Sequence, residues 1–134
     1  MKKINIFILS FLSFALVSSF TMTETLNGTW QFVGGIYNGK KEGAPVGYTL
    51  QRKYDDLHFE AFVIDSTNNP EKYEAGNYVL KGDTCIETET YSSQPSKLTG
   101  VPVAYSYSIR NDTLTLMATL PSGMVTEEYW KKSK

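Results

Sequence analysis

Few side chains in this 134-residue chain can do acid–base, nucleophilic or metal chemistry, and their spacing limits what they can do. His58 is the one histidine and Cys85 the one cysteine. A metal site built on several histidines is therefore excluded, and a zinc site at His58 would need Glu60, Glu87 or Cys85 to complete it. On a strand, His58 serves either as a hydrogen-bonded wall or surface residue or as a polar contact to a ligand. Cys85 has no partner for an internal disulfide and reads as a small, partly buried side chain.

Glu87 and Glu89 alternate with Thr88. On a strand rising about 3.4 Å per residue both carboxylates share one face, about 6 to 7 Å apart. That spacing suits paired-carboxylate chemistry at a glycosidic bond, and it equally suits a solvated strand face. Tyr91 falls on the same face, which makes Glu87 with Tyr91 a candidate polar anchor. An inward Glu87 would need a Tyr, His or ligand partner, because an unpaired buried carboxylate costs several kcal/mol. The segment Ser92-Ser93-Gln94-Pro95-Ser96-Lys97 lacks the Ser-x-x-Lys step of a serine nucleophile and reads as a Pro-containing loop. No catalytic constellation results. The chain is expected to be non-enzymatic, with no cofactor and no bound metal.

Strands must position these residues. From Gly28 to Lys132 short β-branched and aromatic runs are separated by Gly, Asn, Asp and Pro clusters. The pattern predicts eight strands near 28–37, 46–54, 57–65, 73–81, 84–91, 102–110, 113–120 and 124–132. Asn38-Gly39, Gly82-Asp83 and Asn111-Asp112 supply residues tolerant of positive φ at tight reversals, and Asp55-Asp56 joins the second and third strands. Such short connections force antiparallel neighbours, since a parallel crossover needs a dozen residues or more. An open meander leaves two unpaired edges and closure removes both, so the expected fold is an all-β, eight-stranded antiparallel up-and-down meander closed into a barrel. A β-sandwich is the alternative.

Alternation assigns the faces. Val103, Tyr105, Tyr107 and Ile109 are expected inward on the sixth strand, and Leu114, Leu116, Ala118 and Leu120 on the seventh. The third strand is less clean, with Leu57, Phe59, Ala61 and Val63 opposing His58, Glu60, Phe62 and Ile64.

The first residues carry a different signal. Lys2 and Lys3 precede an apolar run from Ile4 to Val17, and small residues follow at Ser18 and Ser19. That order specifies a cleavable secretory signal over residues 1–19, leaving a single domain over residues 20–134. The run is shorter than the roughly 20 apolar residues a membrane helix needs. No cysteine follows it to carry a lipid, so no stable membrane anchor is expected after cleavage. The product is expected in the periplasm or outside the cell. Removing Lys2 and Lys3 from the 13 basic residues leaves 11 against 14 acidic ones, a formal charge of −3. Nothing in that balance favours nucleic acid or an anionic membrane.

Gly28-Thr29-Trp30, at the head of the first strand, is similar to the Gly-x-Trp that opens a lipocalin barrel. The likeness continues through His58-Phe59, the stretch from Gly76 to Gly82, Glu87 with Tyr91, Leu98-Thr99-Gly100, Asp112-Thr113-Leu114 and Glu128-Tyr129-Trp130-Lys131. On these residues the chain resembles the small secreted bacterial lipocalin-like proteins of calycin type, over nearly the whole mature length. The resemblance implies structural roles for Gly28 and Trp30, with Trp30 plugging the closed end and Lys131 or Lys132 packed across it. The helix that usually follows a lipocalin barrel has no counterpart. No Arg-x-Tyr pair of the kind that holds a carboxylate in fatty-acid-binding relatives is assigned, which argues against a fatty-acid ligand.

Two functions fit this reading. One is a carrier or sensor for a small apolar or amphiphilic molecule, with Phe59, Tyr105, Tyr107, Leu116 and Trp130 lining the interior and His58, Glu87 and Tyr91 as polar anchors. The other is an interaction or inhibitor module acting through loops near Pro45, Pro70 and Pro95. A cavity of about 300 Å³ or more favours the carrier, and an interior filled by side chains favours the module.

Overall fold

A computed structural model describes residues 25–134. The expected leader lies outside the described residues. Nine strands and no helix occur among the described residues: β1 (Gly28–Tyr37), β2 (Lys40–Gly43), β3 (Thr49–Tyr54), β4 (His58–Ile64), β5 (Glu71–Lys81), β6 (Thr84–Ser92), β7 (Pro102–Arg110), β8 (Thr113–Thr119) and β9 (Val125–Lys132). From β3 onward each strand pairs antiparallel with the next, and β1 pairs with β3 on one side and β9 on the other. The β1 to β9 ladder, running from Trp30 opposite Lys132 to Tyr37 opposite Thr126, closes eight strands into a barrel and rules out the sandwich.

The extra strand, β2, corrects the expectation of a polar joint after Gly39. Asn38 and Gly39 both hold positive φ, 49° and 80°, which makes the tight reversal that matches the twist of antiparallel strands. The chain therefore folds straight back, setting Tyr37 opposite Lys40 and Gly34 opposite Gly43. As a result β1 divides one edge between two partners. Its first residues pair with β3 and its last with β2. The strand expected from residue 46 begins only at Thr49, and Val46 is left 97% exposed beside β2.

One half of the barrel is packed solid. Leu26, Trp30, Phe32, Tyr54, Phe59, Tyr78, Cys85, Leu114, Leu116 and Trp130 form its core. Burying each large side chain contributes about 1.5–3 kcal/mol. The rings meet edge to face, Phe32 with Trp130 at 5.2 Å and Tyr54 with Tyr78 at 5.1 Å between centroids. The expected alternation holds on β7 and β8: Val103, Leu114 and Leu116 are buried, while Ala104, Ser106 and Ser108 face solvent. On β4, Phe59 and Ala61 point inward, while Leu57, just before the strand, is exposed. At the end where β1 begins, Trp30 is buried and its indole N–H donates to the Leu26 carbonyl at 2.8 Å. The Lys132 ammonium lies over the Trp30 ring, 5.5 Å from its centroid, which is the packing the resemblance implied.

A buried cation and an open cavity as the candidate functional site

Alternation along β3 sends Arg52 and Tyr54 into the barrel, and alternation along β6 sends Cys85, Glu87 and Glu89 in from the far side. The two groups meet. Arg52 Nη2 donates to Glu87 Oε1 at 2.7 Å, and the Tyr54 hydroxyl donates to Glu87 Oε2 at 2.8 Å. Glu74 Oε1, from β5, stands 3.6 Å from the same Arg52 nitrogen. The guanidinium also lies against three rings, 4.6 Å from the centroid of Phe59, 5.5 Å from Tyr54 and 5.6 Å from Trp130. Burial by itself works against the Arg52 charge and is the largest single effect, but Glu87, Tyr54, Glu74 and Glu128 together outweigh it, and the side chain is held protonated. Burial, opposed by Arg52 and reinforced by Glu87, likewise raises the Tyr54 pKa, so its phenol remains a donor.

Above this layer the barrel opens. A cavity of about 440 Å³ has Arg52, Phe32 and Trp130 along its inner wall, Tyr73 and Glu74 from β5 and Glu128 from β9 at its sides, and Tyr37, Glu42 and Tyr48 toward its rim. A side lobe of about 320 Å³ continues between Tyr48, Leu50, Val63, Asp65 and Tyr73. Glu74 and Glu128 both have raised pKa values, burial being the main cause, with Arg52 pulling each back toward ionisation. Burial also pushes the Tyr73 phenol up to about 12. The Trp130 indole N–H is near enough to favour the Glu128 charge, yet its geometry is too poor for a hydrogen bond. Arg52 Nε is buried with no partner at all.

The residues expected to line a ligand are spread over several environments. Trp130 is on the cavity wall. Phe59, Glu87 and Tyr105 lie one layer deeper, around a space of about 40 Å³ that has room for little more than ordered water. Leu116 is sealed in the core, and Tyr107 sits toward the closed half with its hydroxyl donating to the Gly82 carbonyl at 3.0 Å. Two placements need correction. His58 takes the outward parity of β4, where its Nδ1 stands 3.5 Å from Asp55 Oδ1 in solvent. Tyr91 is 44% exposed, because a bulge skips Thr90: Gly76 faces Glu89 and Ala75 faces Tyr91, so the inward parity is lost after Glu89. Tyr91 instead packs beneath the Lys72 ammonium, 5.7 Å from its ring centroid. Glu87 and Glu89 do share an inward face, but Glu87 is taken up by Arg52 and Tyr54, and Glu89 accepts from the Thr99 hydroxyl at 2.8 Å.

Sequence reading missed Arg52, Glu74, Glu128, Phe32 and Tyr73. For Arg52 a signal existed. Arg52-Lys53-Tyr54 is an Arg-x-Tyr pair, contrary to the expectation that none is present, and its two side chains share one face because they are two residues apart. Here the pair grips the protein's own Glu87 carboxylate.

No family model matches this chain, and no curated protein matches it by sequence. Among solved structures it is similar to an uncharacterized protein from Bacteroides eggerthii, at 17% identity and a TM-score of 0.60, over 81% of this chain and 100% of that one. It is also similar to a point mutant of the fluorescent protein UnaG, at 10% identity and a TM-score of 0.43, over 81% of this chain and 96% of that one. The first of these is a likeness of fold.

Proposed function

We propose that this chain is an exported, lipocalin-like, non-enzymatic carrier or sensor that takes a small molecule with both apolar and polar parts into the open end of its barrel. The observation that supports this reading is the cavity of about 440 Å³, which lies within the range of small-molecule sites and contrasts with the solid packing of the other half. Its aromatic wall supplies burial, worth about 25 cal/mol per Å² of apolar surface, and its few polar groups supply orientation. Of the residues assigned to the ligand from sequence, Trp130 is the one that stays in this role, joined by Phe32, Tyr73, Glu74 and Glu128. Export rests on the Lys-initiated apolar run before Phe20.

An apolar fluorescent dye titrated into the folded protein tests the reading. Binding at one saturable site, lost when Leu50→Trp fills the cavity wall, is the expected outcome. A dye that finds no saturable site would instead favour a module acting through its loops. The intact mass of exported protein tests the other half, with a start close to Phe20 expected and retention of Met1 against it.

A further inference from the structure

We infer that the molecule taken by this cavity is an organic cation, an ammonium carrying an apolar or aromatic tail, with its charged head held between Glu74 and Glu128. The inference rests on the open end being a ligand site, and it adds the charge of the ligand.

Charge is the first argument. Among the described residues the single basic side chain lining the cavity is Arg52, and its charge is already committed to Glu87 at 2.7 Å and Glu74 at 3.6 Å. Against it the same lining carries three carboxylates, Glu42, Glu74 and Glu128. An anion entering would find no free positive partner, and a buried unpaired charge is strongly disfavoured. A cation would find two carboxylates on the cavity lining whose burial Arg52 offsets only in part, as the raised pKa values of Glu74 and Glu128 reflect.

The walls make the second argument. Phe32, Tyr73 and Trp130 border the cavity, and an ammonium or its tail is attracted to ring faces that carry negative potential. A metal ion is a poorer match, because among the described residues no three His, Cys, Asp or Glu side chains are arranged to hold one. Two nearly fully buried residues in this wall, Arg52 at 6% and Trp130 at 2% exposure, each keep one N–H without a hydrogen-bond partner. Both donor atoms are closed off from the cavity space, so what the cavity offers a ligand directly is its carboxylates and its ring faces.

Calorimetric titration with three probes of similar shape tests the inference: 2-phenylethylammonium, 2-phenylethanol and 3-phenylpropanoate. The ammonium is expected to bind at least tenfold more tightly than the alcohol, and the carboxylate more weakly than either. In Glu128→Gln, and more fully in Glu74→Gln/Glu128→Gln, the preference should fall below threefold while the alcohol keeps its affinity and near-ultraviolet dichroism keeps its native form. Equal or tighter binding of the alcohol or the carboxylate would overturn the cation inference and leave the ligand site standing, as would an ammonium preference unchanged in Glu128→Gln. If neither the three probes nor the apolar dye bind, the ligand-site reading falls and takes the inference with it.

Discussion

Arg52 and Glu87 are 35 residues apart in the chain and 2.7 Å apart inside the barrel, where Tyr54 holds the second oxygen of the same carboxylate. The pair marks a boundary. On one side Arg52 stacks on Phe59 above the apolar core, and on the other it forms part of the cavity wall. A buried charge pair fixes how β3 and β6 face one another, since no other inward position on β3 offers a cation to Glu87.

Breaking that pair from one side should be more harmful than removing it whole. Glu87→Ala leaves Arg52 buried with only the longer contact to Glu74, and a loss of about 3–5 kcal/mol is expected. The double replacement Arg52→Met/Glu87→Met removes both charges and keeps the volume, so it should lose less than Glu87→Ala alone. Urea denaturation midpoints decide it. A double variant as unstable as the sum of its single changes would show that the two charges act independently.

Trp30 is expected to contribute through packing more than through its cation. Its ring is 1% exposed and bonded to the Leu26 carbonyl. Trp30→Ala should therefore cost about 3–5 kcal/mol. Lys132, which covers the ring from solvent, is itself exposed, and Lys132→Met should cost no more than about 1 kcal/mol. Thermal midpoints showing the reverse order would contradict the assignment of Trp30 to the closed end.

The barrel was legible because its strands alternate. Val103 to Ile109 and Leu114 to Ala118 each place apolar residues on every second position, and closure follows from the tight turns between neighbours. Strand β2 was not legible, because Lys40-Lys41-Glu42-Gly43 has no buried face to leave an apolar mark. Tyr91 was misplaced for a related reason: parity carries an inward assignment only as far as the next bulge, and the bulge at Thr90 leaves no periodic trace. In the site, the need for a partner to an inward Glu87 was readable, whereas Arg52 reads in sequence as one more charged strand residue. Its burial depends on a carboxylate brought from β6, which no local pattern records.

Gly76 lies at that bulge and is there for space. A Cβ built on it would stand 2.1 Å from the Thr88 carbonyl oxygen and 2.8 Å from the Phe59 ring. The carbonyl belongs to the paired β6 strand and the ring carries Arg52, so neither gives way cheaply. Gly76→Ala is expected to destabilise by about 1–3 kcal/mol and to disturb the Arg52 layer. Gly43→Ala is the control, since nothing lies within 4 Å of its added carbon, and it should stay within about 0.5 kcal/mol of the parent. Equal effects of the two substitutions would refute the steric account.

The pH dependence of stability should carry the signature of the cavity carboxylates. Burial raises the pKa of Glu74 and Glu128 above the ordinary 4.5, with Arg52 opposing the rise. An acid whose pKa is higher in the folded state binds its proton more readily when folded, so stability increases as pH falls from that raised value toward 4.5. Asp55 and Asp65 run the other way. The backbone N–H groups of Leu57 and His58 hold the Asp55 carboxylate below the ordinary 3.8, and that of Thr67 does the same for Asp65. Their contribution is present above 3.8 and is lost as pH falls through their lowered values. The thermal midpoint is therefore expected to rise from neutral pH toward 4.5 and to fall only below 3.8. In Glu74→Gln/Glu128→Gln the rise from neutral pH should flatten while the acid limb, set by Asp55 and Asp65, remains. Scans of both proteins from neutral pH to about pH 3, below the ordinary aspartate value, provide the measurement. Superimposable curves would mean that Glu74 and Glu128 carry no burial cost, and the cavity would lose its claim to incompletely compensated negative charge.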